Sequence, residues 1–191
     1  MTKLKRETRF IEIMISNVLD GLDDTPYKLT KAQKAKALKV LEVKKPNRDS
    51  SNCSKAGRNR ILINLSYWQI KNVEAGKVTG FRPITRETKD GHVWWREYKS
   101  FDNDPRCGGM FVKNGDVDHG NLIQVTHEMA HYVQFTLWHS DKSRWRYMRQ
   151  PHGEGFKQIY RILRDRFVND PEKRMSFLMD CNGQECFEHV G

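Results

Sequence analysis

Apolar positions recur at helical spacing over several stretches of this chain and crowd together at strand-like density over others. Over residues 4–22, Leu4, Ile11, Met14, Ile15, Val18 and Leu22 share one face while Lys5, Arg6, Glu7, Arg9 and Glu12 lie elsewhere. That predicts a core-packing helix, ended by Gly21 and Pro26. Thr30-Lys31-Ala32-Gln33 has the form of a capping box and opens a short helix over 31–38. Residues 39–43 fit a continuation of that helix or a strand, and the pattern does not decide between them. Residues 46–59 are turn formers and predict a loop. Ile61-Leu62-Ile63-Asn64-Leu65-Ser66-Tyr67-Trp68 predicts a strand, 92–101 (with Val93, Trp94, Trp95 and Tyr98) a second, and 109–113 a short third before the tight-turn signal Asn114-Gly115. The polar stretch 71–91, with Gly76, Gly80, Pro83 and Gly91, predicts loop.

Two further helices follow. Leu122, Val125, Met129 and Val133 form an apolar stripe, which predicts a helix over 121–138 with Asn121 as its N-cap. Phe156, Ile159, Tyr160, Leu163 and Phe167 form the stripe of another over 155–169, which Pro171 ends. Helices flanking a few strands make an α+β chain with a small antiparallel or mixed sheet. The expected division is one domain over 1–170, with a helical part over 1–45, sheet and insertion over 58–118 and helices over 120–170. Residues 171–191 are expected as a C-terminal tail.

The first of these two helices carries His127-Glu128-Met129-Ala130-His131, an H-E-x-x-H motif. On a helix the two histidines lie one turn apart and project from the same side. Two imidazoles so placed can bind Zn2+ at about 2.0–2.1 Å each. Glu128 lies about 100° round the helix, within reach of an attacking water without being a ligand. The apolar stripe points away from the pair, so the helix is expected to bury one side and turn its histidines into a cleft. The stripe accounts for a helix; it does not account for the His-Glu-His set.

Charge adds a second theme. Lys and Arg number 34 against 24 Asp and Glu, a net charge of +10. Such a chain is attracted to polyanions, nucleic acid first. After the motif helix, Lys142, Arg144, Arg146 and Arg149 interleave with Trp145, Tyr147 and Met148. Cations beside rings suit a groove for single-stranded or distorted nucleic acid. A loop whose aromatics pin it to the core fits the same residues. Lys157, Arg161 and Arg164 share a face of the following helix and join the candidate nucleic-acid contacts. No stretch approaches the roughly 18 apolar residues of a membrane helix. The charged N-terminus, Met1-Thr2-Lys3-Leu4-Lys5-Arg6, has no apolar run behind it. The expectation is a cytoplasmic protein in which Cys53, Cys107, Cys181 and Cys186 are thiols or ligands.

Catalytic zinc takes three protein ligands and leaves a position open. Beyond the motif the candidates are His119, His139, His152, Glu154 and His189. His152 stands out, because Pro151-His152-Gly153-Glu154-Gly155-Phe156 opens the next helix and can face back towards the first. Here the chain resembles the SprT-like metalloprotease domain, shared by bacterial SprT proteins and the Spartan DNA-repair proteases. That family pairs H-E-x-x-H with a downstream H-G-x-x-F, as His152-Gly153 and Phe156 stand here. The resemblance covers residues 120–168. It implies a zincin-like fold, a zinc ion on His127, His131 and His152, Glu128 as catalytic base, and a protein or peptide substrate that is associated with DNA. The chain departs from the family in two places. The roughly fifty residues between the Ile61–Leu65 stretch and the motif helix exceed what the family has there and are expected to form an insertion over the cleft. Near the C-terminus, Cys181, Cys186 and His189 stand where some members carry a four-cysteine zinc ribbon. For the oxyanion donor such a mechanism needs, Tyr132, Tyr147, His139 and Arg149 are the candidates.

Overall fold

A computed structural model of the 191-residue chain describes residues 3–44, 54–65, 92–95, 101, 104, 106–108, 110–113 and 116–187. The 46–53 part of the loop expected over 46–59, the loop expected over 71–91, the Asn114-Gly115 turn, parts of the first two predicted strands, Cys53 and His189 lie outside the described residues.

Helix α1 (Lys3–Asp20) buries Phe10, Ile11, Met14, Ile15, Val18 and Leu19 on one side, as its apolar spacing requires. Helix α2 (Lys31–Lys39) opens on the capping box read from the sequence. The Gln33 amide donates to Thr30 Oγ1 at 3.2 Å, and the Thr30 amide donates to Gln33 Oε1 at 2.8 Å. Such a cap is worth about 1 kcal/mol. Residues 41–44 leave the helix as strand β1 (Leu41–Lys44), which settles the choice left open at 39–43.

Strands β2 (Lys55–Gly57) and β3 (Arg60–Asn64) complete a three-stranded mixed sheet of order β1-β3-β2. β1 pairs parallel to β3, with Leu41 opposite Ile61 and Val43 opposite Ile63, and β2 pairs antiparallel to it. The central β3 is buried at four successive positions, Ile61 to Asn64, so both its faces are covered. β2 falls in a stretch expected to be loop. Lys55-Ala56-Gly57 has no strand pattern of its own, and its conformation comes from pairing with β3. β4 (His92–Trp95) and β5 (Met110–Lys113) form a separate antiparallel pair, His92 opposite Lys113 and Trp95 opposite Met110.

Helix α3 (Val117–Ser140) is the longest of the five helices among the described residues and contacts α1, β2, β3 and the helix that follows it. It begins earlier than the sequence suggested. Asp116 is its N-cap, accepting from the His119 amide at 2.9 Å, and Asn121 is an interior residue only 4% exposed. Gly120 reads locally as a break, but here it continues the helix. A 3-10 turn (Arg146–Met148) leads to α4 (Glu154–Phe167). Residues 171–187, expected as tail, form helix α5 (Pro171–Phe187), which packs on α1 and α4. Leu178 and Cys181 enter the core, and Phe177 lies against Phe167 with ring centroids 4.7 Å apart. The architecture is α+β. Among the described residues no helix is long and apolar enough to cross a membrane.

Candidate metal centre

The expected one-sided burial of α3 gives way to burial all round. Leu122, Val125, Met129 and Val133 are fully buried, and His127, Glu128 and His131 on the other side are 9%, 5% and 7% exposed. A helix apolar on one side and functional on the other is covered on both when another element closes over the functional side. Here α4 and the turn before it do so.

His127 and His131 present their rings one turn apart, edge to face, with centroids 5.0 Å apart. His152, from the turn before α4, meets both. Its Nε2 lies 2.8 Å from His131 Nε2 and 3.3 Å from His127 Nε2. Three nitrogens about 2.05 Å from a tetrahedral zinc stand roughly 3.3 Å from one another, a spacing that the His127–His152 pair already has and that the His131–His152 pair would reach by opening slightly. All three ligand atoms fall within 4.8 Å of each other. The three residues could hold a metal ion. Among the described residues no fourth His, Cys, Asp or Glu joins them, and no second such group occurs. Imidazole donors alone suit zinc and its first-row neighbours. Burial, followed by the neighbouring His127 and His152, pushes the His131 pKa down to about 2 against a contact with Gln134 that opposes it. The ring is therefore neutral at pH 7, the form that ligates.

The aromatic wall behind the rings comes from α4. Phe156 lies 4.3 Å from His131, 5.0 Å from His127 and 4.9 Å from His152, centroid to centroid. Tyr160 adds an edge contact to His127 at 5.3 Å, and Phe101 reaches His152 at 6.1 Å. His152 has φ +57°, the left-handed region that a β-carbon disfavours. Its neighbours explain how the turn holds. A β-carbon on Gly155 would lie 2.8 Å from Met148 Cγ and 2.9 Å from Met148 Cα, so the start of α4 sits directly on the 3-10 turn. The Gly153 amide donates to Gln150 O at 3.0 Å and closes the turn.

Gln134 carried no signal in the sequence beyond standing three residues after His131. Its side chain is fully buried, with Oε1 3.2 Å from His131 Nδ1 and Nε2 2.8 Å from the carbonyls of both Met148 and Gln150. It ties the two elements that carry the histidines.

The other candidate residues separate. His119 is buried two turns before His127 and belongs to no ligand cluster. Glu154 is exposed and paired with Arg161 at 2.7 Å. Cys181 is buried against Asn17, whose amide donates to its sulfur at 3.6 Å. Among the oxyanion candidates, Tyr132 is turned away, because its hydroxyl donates to Gln33 O at 2.6 Å on α2. His139 is exposed near the end of α3, 4.6 Å from the Trp138 ring. Tyr147 and Arg149 help to line a cavity of about 610 Å³, together with Arg146, Gln150, Gly153 and Glu154. Of these, Arg149, Gln150, Gly153 and Glu154 lie within three residues of His152 in the chain.

The basic residues also divide. Arg144, Arg146 and Arg149 are exposed, and Arg144 lies over the Trp145 ring at 4.8 Å. Trp145 and Met148 are buried, so aromatic pinning to the core accounts for two of the three apolar residues there, and Tyr147, 44% exposed, stands apart. Lys157 sits 5.2 Å over the Phe101 ring, and Arg161 is engaged with Asp104 as well as Glu154. Arg164 is not a surface residue. It is 1% exposed and donates to Gly108 O at 2.8 Å and Asn169 Oδ1 at 2.9 Å, which removes it from the nucleic-acid contacts expected of it. The cause is tertiary. The helical face it shares with Arg161 meets Asp104 and Gly108, which no periodicity reveals.

No protein-family model, curated protein or solved structure matches this chain.

Proposed function

We propose that the protein is a zinc-dependent metallopeptidase of SprT-like type, with proteins held on DNA as its substrate class. The observation that carries the reading is the convergence of three imidazole nitrogens from α3 and the turn before α4, with no fourth donor among the described residues. A structural zinc site is closed by four protein ligands, whereas a catalytic one keeps a position open. His127, His131 and His152 would hold the zinc, which would supply a Lewis acid for the peptide carbonyl and the attacking water. Glu128, buried beside His127, takes the proton of the attacking water and delivers it to the leaving amine. The cavity lined by residues on either side of His152 in the chain receives the substrate on one side of the scissile bond, and Tyr147 and Arg149 there are the candidates to stabilise the oxyanion. In this reading the mixed sheet and α3 correspond to the sheet and active-site helix of a zincin-like fold. The net charge of +10 and the exposed Arg144, Arg146 and Arg149 support recruitment to DNA.

Replacing Glu128 by Gln keeps the shape and removes the base. Peptide cleavage by E128Q is expected to fall at least about 100-fold, with zinc content unchanged. His152→Ala is expected to lose the zinc. Cleavage by E128Q at the wild-type rate defeats the mechanism. Stoichiometric zinc in a wild-type protein that cuts neither peptides nor DNA-bound proteins makes the ion a staple between two helices.

A further inference from the structure

Gln134 occupies a position from which the proton arrangement of the centre can be deduced. Its side chain is fully buried three residues beyond His131. One end of its amide stands 2.8 Å from two backbone carbonyls, Met148 O and Gln150 O. Carbonyl oxygens only accept, so that end is the NH2 group, and each of its hydrogens has a partner. The other end is then the amide oxygen, 3.2 Å from His131 Nδ1. An amide oxygen also only accepts, so Nδ1 carries the hydrogen. A neutral imidazole has one proton, which leaves His131 Nε2 with its lone pair exposed. Nε2 is the atom that faces His152.

The two ends of the amide do separate work. Met148 and Gln150 lie four and two residues before His152, in the segment that delivers its ring. We propose that Gln134 is a positioning residue: a single buried amide, wedged between His131 Nδ1 and the carbonyls of Met148 and Gln150, selects the ligating nitrogen of His131 and clamps the turn that carries His152. The inference rests on the three histidines being a metal centre, but it is independent of the bond the protein cleaves. It also assigns the proton in the metal-free protein. With His131 Nε2 as acceptor, the 2.8 Å contact requires His152 to donate from its own Nε2.

The test uses the full chain, stripped of metal and labelled with 15N-histidine. Long-range proton–nitrogen correlation spectra report which nitrogen of each ring is protonated. His131 is expected in the Nδ1–H form, and an Nε2–H form overturns the proposal without any variant. Zinc is then titrated against a chromophoric chelator. Gln134→Met, which keeps the volume and loses the amide, is expected to bind zinc about 10–100-fold more weakly. Unchanged zinc affinity in that variant overturns the proposal as well. A protein with the expected His131 tautomer and Gln134-dependent zinc binding, yet no peptidase activity, supports this inference and defeats the peptidase reading alone.

Discussion

The centre obtains its histidines in two different ways. His127 and His131 stand on a regular helix, where 3.6 residues per turn fix their spacing whatever surrounds them. His152 stands on a turn with φ +57°, where the backbone gains nothing from the conformation and a β-carbon opposes it. Local geometry delivers the first pair. Packing holds the third, through Gly155 against Met148, the Gly153 amide on Gln150, the Gln134 amide on two carbonyls, and Phe156 against the ring. A helix can carry ligands with little outside help, whereas a turn in a disfavoured conformation keeps its ligand in place only while its neighbours over-determine it.

The contrast is broken most severely at Gly155. Its added β-carbon would meet the backbone of Met148 at 2.9 Å and Tyr147 O at 3.1 Å, neither of which is the free end of a flexible side chain. Gly155→Ala is expected to cost about 3 kcal/mol in urea denaturation and to lower zinc affinity by moving His152. The helix pair should keep its geometry. A variant with wild-type stability would mean that the turn relaxes freely and that packing does not hold it.

A histidine that ligates nothing sharpens the comparison from the helix side. His119 sits on α3 at 2% exposure, and its Nε2 has no hydrogen-bond partner among the described residues. Burial, reinforced by Arg174 and Arg164 and opposed by Asp116, pushes its pKa down from 6.5 to about 4. The folded value lies below the unfolded one, so the fold holds the neutral ring. The associated stability is present above pH 6.5 and is lost as the pH falls towards 4. The loss is on the order of 3 kcal/mol. His119→Met should flatten the slope of stability against pH in that window by up to one proton. An unchanged slope would show that the ring titrates as it does in water.

How much of this could be read from the residues follows the same division. The spans of α1, α2 and α4, the capping box at Thr30 and the His127–His131 pair are local patterns, and the chain adopts them nearly where the spacing put them. What singles out His152 in the sequence is its place before a helix and its likeness to a known motif, not periodicity. The rest depends on residues far apart in sequence. β2 is a strand because β3 is beside it. Arg164 is buried where it meets Gly108 from a distant stretch of chain, α5 packs where only a tail was expected, and Gln134 matters because the 148–150 segment returns to it. The start of α3 is a smaller case, in which Asp116 outcompetes Asn121 as cap because Gly120 does not break the helix.

The finest test compares alanine with glycine at the two kinds of position. Both substitutions remove the imidazole, so the lost ring contacts and the lost ligand largely cancel in the difference. At His131, inside a helix, alanine should be the more stable of the two by about 1 kcal/mol, since glycine gives up more backbone entropy there. At His152 the order should reverse, with glycine ahead by about 0.5–1 kcal/mol, because alanine keeps the β-carbon that φ +57° disfavours. Thermal or urea unfolding of the four metal-free variants measures both differences. Opposite signs would show that His152 is held against its own backbone preference. The same sign at both sites would place residue 152 in an ordinary conformation in solution and end the distinction between the helix and the turn.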